Sequence, residues 1–147
     1  MSSKQKPRID FYKLNSQDRT SIIRFCCQLA DKVVKMGNPV FVKTKDPTES
    51  RVMDDLMWAY SDSSFLPHAI LDDAADGDVP VTIGHNAYQY RAYLLINLSE
   101  ELPDNIQNFE RIAEVINEAP QTLQLGRKRY AAYKQGDYAL HYHEITS

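Results

Sequence analysis

The sequence predicts an α/β protein: a three-layer α/β/α sandwich around a mostly parallel sheet of about five strands, with four helices. Three observations carry that prediction. Strand-like and helix-like runs alternate with short joints between them, the rhythm of parallel strands linked by right-handed crossovers. One run, Tyr93-Leu94-Leu95-Ile96-Asn97-Leu98, is apolar nearly throughout, as a central strand covered on both faces should be. The 147 residues are 43% apolar and 25% charged, the usage of a folded domain able to bury a core. Residues 1–147 read as one domain, with a polar leader at 1–7 and a tail at 144–147.

The elements follow in order. Ile9, Phe11 and Leu14, with Tyr12 on the alternate side, read as a first strand. Ser16 is the expected N-cap of the next segment. There Ile22, Phe25, Cys26, Leu29, Val33 and Met36 recur at spacings of three and four, an amphipathic helix stopped by Gly37. Residues 39–44 are β-rich. Asp46-Pro47-Thr48-Glu49 then supplies an N-cap, a proline at the first helical position and a glutamate at the third, so a helix should run to about Trp58. Residues 59–79 read as irregular, with Phe65-Leu66-Pro67-His68 as an apolar clip and residues 72–78 as an acidic loop. Residues 80–84 and 93–98 are two more strands. Pro103 and Asp104 open an expected helix carrying Ile106, Phe109, Ile112, Ala113 and Ile116 on one face, ended by Pro120. A last helix spans about 121–135 and stops at Gly136, and residues 138–143 alternate, as either a short edge strand or an extended tail would.

Several function classes lose their footing. A net charge of −3 does not suit a general nucleic-acid coat. No apolar run approaches a membrane span, and the basic start has no apolar segment behind it, so neither a membrane nor secretion is expected. Cys26 and Cys27 are adjacent and the only cysteines, which excludes a disulfide framework and points to a reducing, cytoplasmic setting. The five glycines form neither a dinucleotide fingerprint nor a phosphate loop, so no cofactor is expected. His141 and His143 share one strand face but read as solvated, and no metal site is assigned. Ser63 and Ser64 near His68 lack the surroundings of a catalytic nucleophile. A small α/β nucleotide-binding protein or enzyme of unknown substrate stays open as an alternative, with no catalytic residue to name.

Two constellations suit binding. Trp58, the only tryptophan, ends a helix and is followed by Phe65, Leu66, Pro67 and His68. This is either a loop pinned to the core or an aromatic anchor for a partner. The last helix carries Arg127, Lys128, Arg129 and Lys134 and no acid, leaving −7 on the rest of the chain. Arg127, Tyr130, Ala131 and Lys134 fall on one helical face, with Tyr133 and Tyr138 adding aromatic surface. Either the cations serve the helix's own C-terminal dipole, or they capture a carboxylate or phosphate. An otherwise acidic surface favours a short acidic peptide over a phosphate backbone.

The order of landmarks resembles the chi subunit of bacterial DNA polymerase III holoenzyme, a clamp-loader accessory family. The pieces are Phe11-Tyr12-x-Leu14, Leu29-Ala30 with Gly37, Asp54-x-Leu56-x-Trp58 and Ser64-Phe65-Leu66-Pro67-His68. Then come Pro80-Val81-x-Ile83, Leu95-Ile96-Asn97-Leu98, Phe109-Glu110-Arg111 and Arg127-x-Arg129-Tyr130-x-x-Tyr133 with Gly136. They span about residues 9–143 in the family's order; each is short, and the collinear set is what is specific. The resemblance implies a Rossmann-like fold and a non-catalytic adaptor. It implies two partners: the psi subunit, and the acidic C-terminal tail of single-stranded DNA-binding protein, which ends in phenylalanine. DNA itself is reached only indirectly. Trp58, Phe65, Leu66, Pro67 and His68 match the psi-facing side, which some members use for a helicase instead. Arg127, Arg129 and Tyr130, with Lys128, Tyr133 and Lys134 around them, match the tail-binding side. Some members carry a tail-binding lysine directly after that tyrosine; Ala131 stands there in this chain. The acidic loop and the histidine pair have no counterpart carried over from the family.

Overall fold

A computed structural model describes residues 6–60, 67–70, 79–86 and 91–145. Its order is β1 (Arg8–Leu14), α1 (Arg19–Lys35), β2 (Val40–Lys43), α2 (Pro47–Tyr60), β3 (His68–Ile70), β4 (Val81–Gly84), β5 (Ala92–Asn97), β6 (Phe109–Ile116), α3 (Pro120–Gln135) and β7 (Leu140–Ile145). The strands form one sheet in the order β3-β4-β2-β5-β6-β1-β7, and every pairing is parallel. The α/β class stands, with seven strands and three α-helices among the described residues in place of five and four.

The missing helix is the expected one before Pro120. Only Ile106–Asn108 turns, as a short 3-10 segment after Asn105 at φ 54°, and residues 109–116 are the strand between β5 and β1. A strand buried on both faces shows no alternation, so its apolar residues fit a helical spacing equally well. Ile112, Val115 and Ile116 are β-branched, which favours the extended form once neighbours are available on both sides. The short strand β3, at the sheet's other edge, lies where the sequence suggested only a clip.

Local signals set the helix starts. The α1 cap is Asp18, not Ser16: its carboxylate accepts from Ser21 N at 3.0 Å and Ser21 Oγ at 2.8 Å. Ser16 instead lends its carbonyl to Glu118 N at 2.8 Å, within the joint. Gly37 follows α1 at φ +88°, a conformation that favours glycine. Asp46 caps α2 as expected, accepting from Glu49 N at 2.8 Å. Glu49 in turn holds Arg19 through two bonds, 2.7 and 2.9 Å, tying the starts of α1 and α2 together.

The sheet divides two apolar layers. Leu14, Val42, Ile83, Leu94 and Ile96 pack with α1 and α2 on one face. Ile9, Phe11, Leu95, Ile112 and Ile116 pack with Tyr133 of α3 on the other. The helix α3 therefore lies on the opposite face from α2 and near the opposite edge. The acidic loop at 72–78 lies outside the described residues. Among those described, no helix is long and apolar enough to cross a membrane.

Candidate functional site

The helix α3 begins with Pro120 at its first turn and turns a narrow inner face toward the sheet. Gly126, Arg129 and Tyr133 are buried. A Cβ on Gly126 would come within 2.9 Å of Ile116 Cγ2, so glycine lets the helix approach β6 closely. Arg129 and Tyr133 meet Glu114, whose side chain has no exposure. Arg129 Nε donates to it at 2.8 Å, Tyr133 Oη at 2.6 Å and Asn97 Nδ2 at 2.9 Å. Burial pushes the Glu114 carboxyl up against the pull of those partners, and burial beside Glu114 raises the Tyr133 phenol as well. These groups anchor α3; they are not surface.

The next face of α3 overlooks a cleft of about 620 Å³ between the helix and the β1–β7 edge. Phe11, Ile116, Leu123, Gly126 and Tyr130 give it an apolar lining. Arg127, Ala131 and Lys134 stand on the helix wall, and Tyr142 and Glu144 come from β7. Phe11 and Tyr130 meet edge-on with centroids 5.2 Å apart, which seats the tyrosine. Lys13, also lining, forms an ion pair with Glu118 at 3.2 Å. The four residues that helical spacing put together, Arg127, Tyr130, Ala131 and Lys134, thus share one wall. Lys128 is exposed outside the lining, and Tyr138 packs edge-on against Tyr133. Sequence reasoning missed Leu123 and Gly126, which the spacing of α3 itself could have supplied, and, on the sheet, Phe11, Lys13, Ile116, Tyr142 and Glu144. The alternation at 138–143 could have supplied Tyr142, but the other sheet residues depend on the register of β1 with β6 and β7.

The second constellation lies near the other edge. Trp58 is 54% exposed at the end of α2, and its ring centroid is 4.4 Å from that of His68. His68 is buried, with Nε2 3.2 Å from Asp54 Oδ1, and Pro67 is half-buried. Phe65 and Leu66 lie outside the described residues, as do Ser63 and Ser64.

Among the described residues, the crevice that an α/β sheet offers at the carboxyl ends of its strands is filled from within beside β2 and β5. Arg19 reaches Glu49 and donates to the Leu98 carbonyl at 2.6 Å, and Ser99 bonds Asn97. The cavity beside Arg19 and Ser99 is about 130 Å³ and the one at the end of β1, lined by Leu14, Ser16 and Arg24, about 260 Å³, both below the ~300 Å³ floor for small-molecule pockets. Burial raises both cysteine thiols, Cys27 to about 12, which removes the reactive thiolate. His143 is engaged by Asp10 at 2.9 Å and stacks on Tyr12. Among the described residues no His, Cys, Asp and Glu gather into a metal-holding group.

The family model for the DNA polymerase III chi subunit, HolC, matches residues 7–141. The chain belongs to the chi family. The chi subunit of Pseudomonas aeruginosa PAO1 is 30% identical over 138 residues, covering 94% of this chain and 96% of its own. That of Escherichia coli K12 is 24% identical over 123 residues, covering 82% and 84%. In fold, this chi-family chain is similar to the crystal structure of T4 UvsW, with a TM-score of 0.69 at 9% identity; the match covers 95% of this chain and 41% of that one. At that identity the likeness speaks to the sandwich alone. Membership in the chi family gives the chain an accessory role in DNA replication, as a non-catalytic polymerase subunit.

Proposed function

We propose that the chain is a two-sided adaptor of the replicative polymerase. The α3–β7 cleft captures the acidic C-terminal tail of single-stranded DNA-binding protein, and the Trp58 edge carries the psi subunit. The observation that carries the reading is the cleft itself, an apolar floor beneath Arg127 and Lys134. An acidic peptide with an aromatic end needs both parts at once. The ring is buried against Phe11, Ile116 and Tyr130, and a carboxylate meets the Arg127 guanidinium, which suits bidentate pairing. Lys134, one turn on, and the exposed Lys128 add cationic field. Arg129 and Tyr133 serve from beneath, holding α3 to Glu114. With Ala131 where some members have lysine, Arg127 and Lys134 carry more of the attraction. DNA is then reached through the protein that coats it.

The test is a titration of a labelled peptide copying that tail. Wild type binds at low salt. Arg127→Glu, which removes a charge-assisted bond and opposes the peptide's charge, weakens binding by about tenfold or more. Unchanged binding by that variant removes Arg127 from the site, and no wild-type binding at low salt sinks tail capture.

A further inference from the structure

The strand β7 contributes the cleft's second wall, and that wall carries an acid. β7 runs parallel to β1 with Phe11 opposite Tyr142 and Lys13 opposite Glu144. Alternate residues point to alternate faces. Leu140 joins the apolar layer under α3, so Tyr142 and Glu144 face the cleft, and both line it. His143 and Ile145 turn to the other face, where His143 bonds Asp10 at 2.9 Å and Ile145 packs on the α1-side core. The wall is therefore pinned from behind. Tyr142 Oη donates to Glu144 at 3.4 Å. Burial raises the Tyr142 phenol, Glu144 adds to that, and Lys13 and Arg127 oppose it, so these charges share one electrostatic neighbourhood. Both wall residues lie past residue 141, where the family model's match ends.

We infer that Glu144 is a specificity-determining residue of the cleft, selecting acidic peptides whose residue beside β7 is not itself acidic. This rests on the tail-capture reading above. A carboxylate facing Arg127 and Lys134 across the groove gives it a direction. The peptide's acids are drawn to the α3 wall and repelled from the β7 wall, where Tyr142 offers a ring and a hydroxyl instead. Glu144 also lowers affinity for a uniformly acidic ligand, which trades strength for register. The residue is exposed on an edge strand, so replacing it leaves the core untouched.

The experiment compares two peptides on the full chain at low and high salt: the acidic tail peptide, and a copy with its aspartates changed to asparagine. Glu144→Gln binds the acidic peptide about two- to fivefold tighter at low salt, from loss of one like charge across solvent. The gain shrinks at high salt and is absent for the asparagine peptide. Tyr142→Ala weakens both peptides at either salt, because it removes wall rather than charge. Wild-type binding of the acidic peptide that Glu144→Gln leaves equal or weaker overturns the Glu144 assignment alone. Absence of wild-type binding overturns tail capture and this inference together.

Discussion

At the scale of single residues, Asp10 shows how a side chain can matter structurally through partners that lie mostly far away in sequence. Its side chain has no exposure, yet Arg8 and Arg111 reach it at 3.1 Å and His143 at 2.9 Å. Burial pushes its carboxyl up, but the bonds from His143 and Arg8 and the charge of Arg111 outweigh that, and it ends below its ordinary value. Because the folded value is depressed, the unfolded chain binds the proton first as pH falls. The stabilisation is complete above about pH 3.9 and is lost as pH drops through the lower folded value. Asp10→Asn leaves Arg8 and Arg111, both partly exposed, facing a neutral amide, at a cost of about 1–2 kcal/mol near neutrality. Urea unfolding of both proteins between pH 7 and pH 2.5 checks this: the gap between them should close at the acid end. A constant gap across that range would show that Asp10 acts through packing, not charge. Two of its partners sit 101 and 133 residues away, so nothing near Asp10 in the sequence announces them.

Among the elements, what was legible in the sequence was what is decided locally. The α2 start could be read because Asp46, Pro47 and Glu49 form a self-contained cap. The α1 stop could be read because Gly37 takes a positive φ. The face of α3 bearing Arg127, Tyr130 and Lys134 followed from helical spacing alone. The strand β6 was misread because doubly buried strands carry no period of their own. Its identity comes from β5 and β1 on either side, and Glu114 within it is tolerable because Arg129, fifteen residues on, supplies a counter-charge and Tyr133 and Asn97 add hydrogen bonds. The same long-range dependence governs Gly126. Alanine there gains about 1 kcal/mol of helix propensity. It also places a Cβ 2.9 Å from Cγ2 of Ile116, a stiff β-branched neighbour on the sheet, and overpacking of this kind costs about 1–3 kcal/mol. Gly126→Ala should therefore lower stability by about 1 kcal/mol, read as a lower urea midpoint with unchanged slope. A stabilised variant would mean that β6 yields easily and that glycine is not what sets the depth of α3 on the sheet.

For the molecule as a whole, the sheet acts as a spacer between the two proposed docking edges. β3 and β7 are its opposite margins, six inter-strand steps apart, or about 29 Å at ~4.8 Å per step. The helix α2 packs beside β3 on one face, and α3 packs against β6 on the other. Screening at physiological salt acts over about 8 Å, so the charge of Arg127 and Lys134 does not extend to Trp58. No hinge is needed for either edge to be occupied, and occupancy of one should leave the other's affinity alone. Coupling between sites is reciprocal, so one direction suffices to test it. Trp58 is the only tryptophan and is half-exposed, which makes its emission a reporter of its own edge. Saturating the α3 cleft with acidic peptide should leave that emission unshifted, and the peptide's Kd should stay within about twofold when psi is bound, which is under ~0.5 kcal/mol of coupling. A shifted emission maximum on peptide addition, or a Kd that moves fivefold, would show that the sheet transmits strain between its edges. The proposed adaptor would then sense one partner through the other instead of holding both independently.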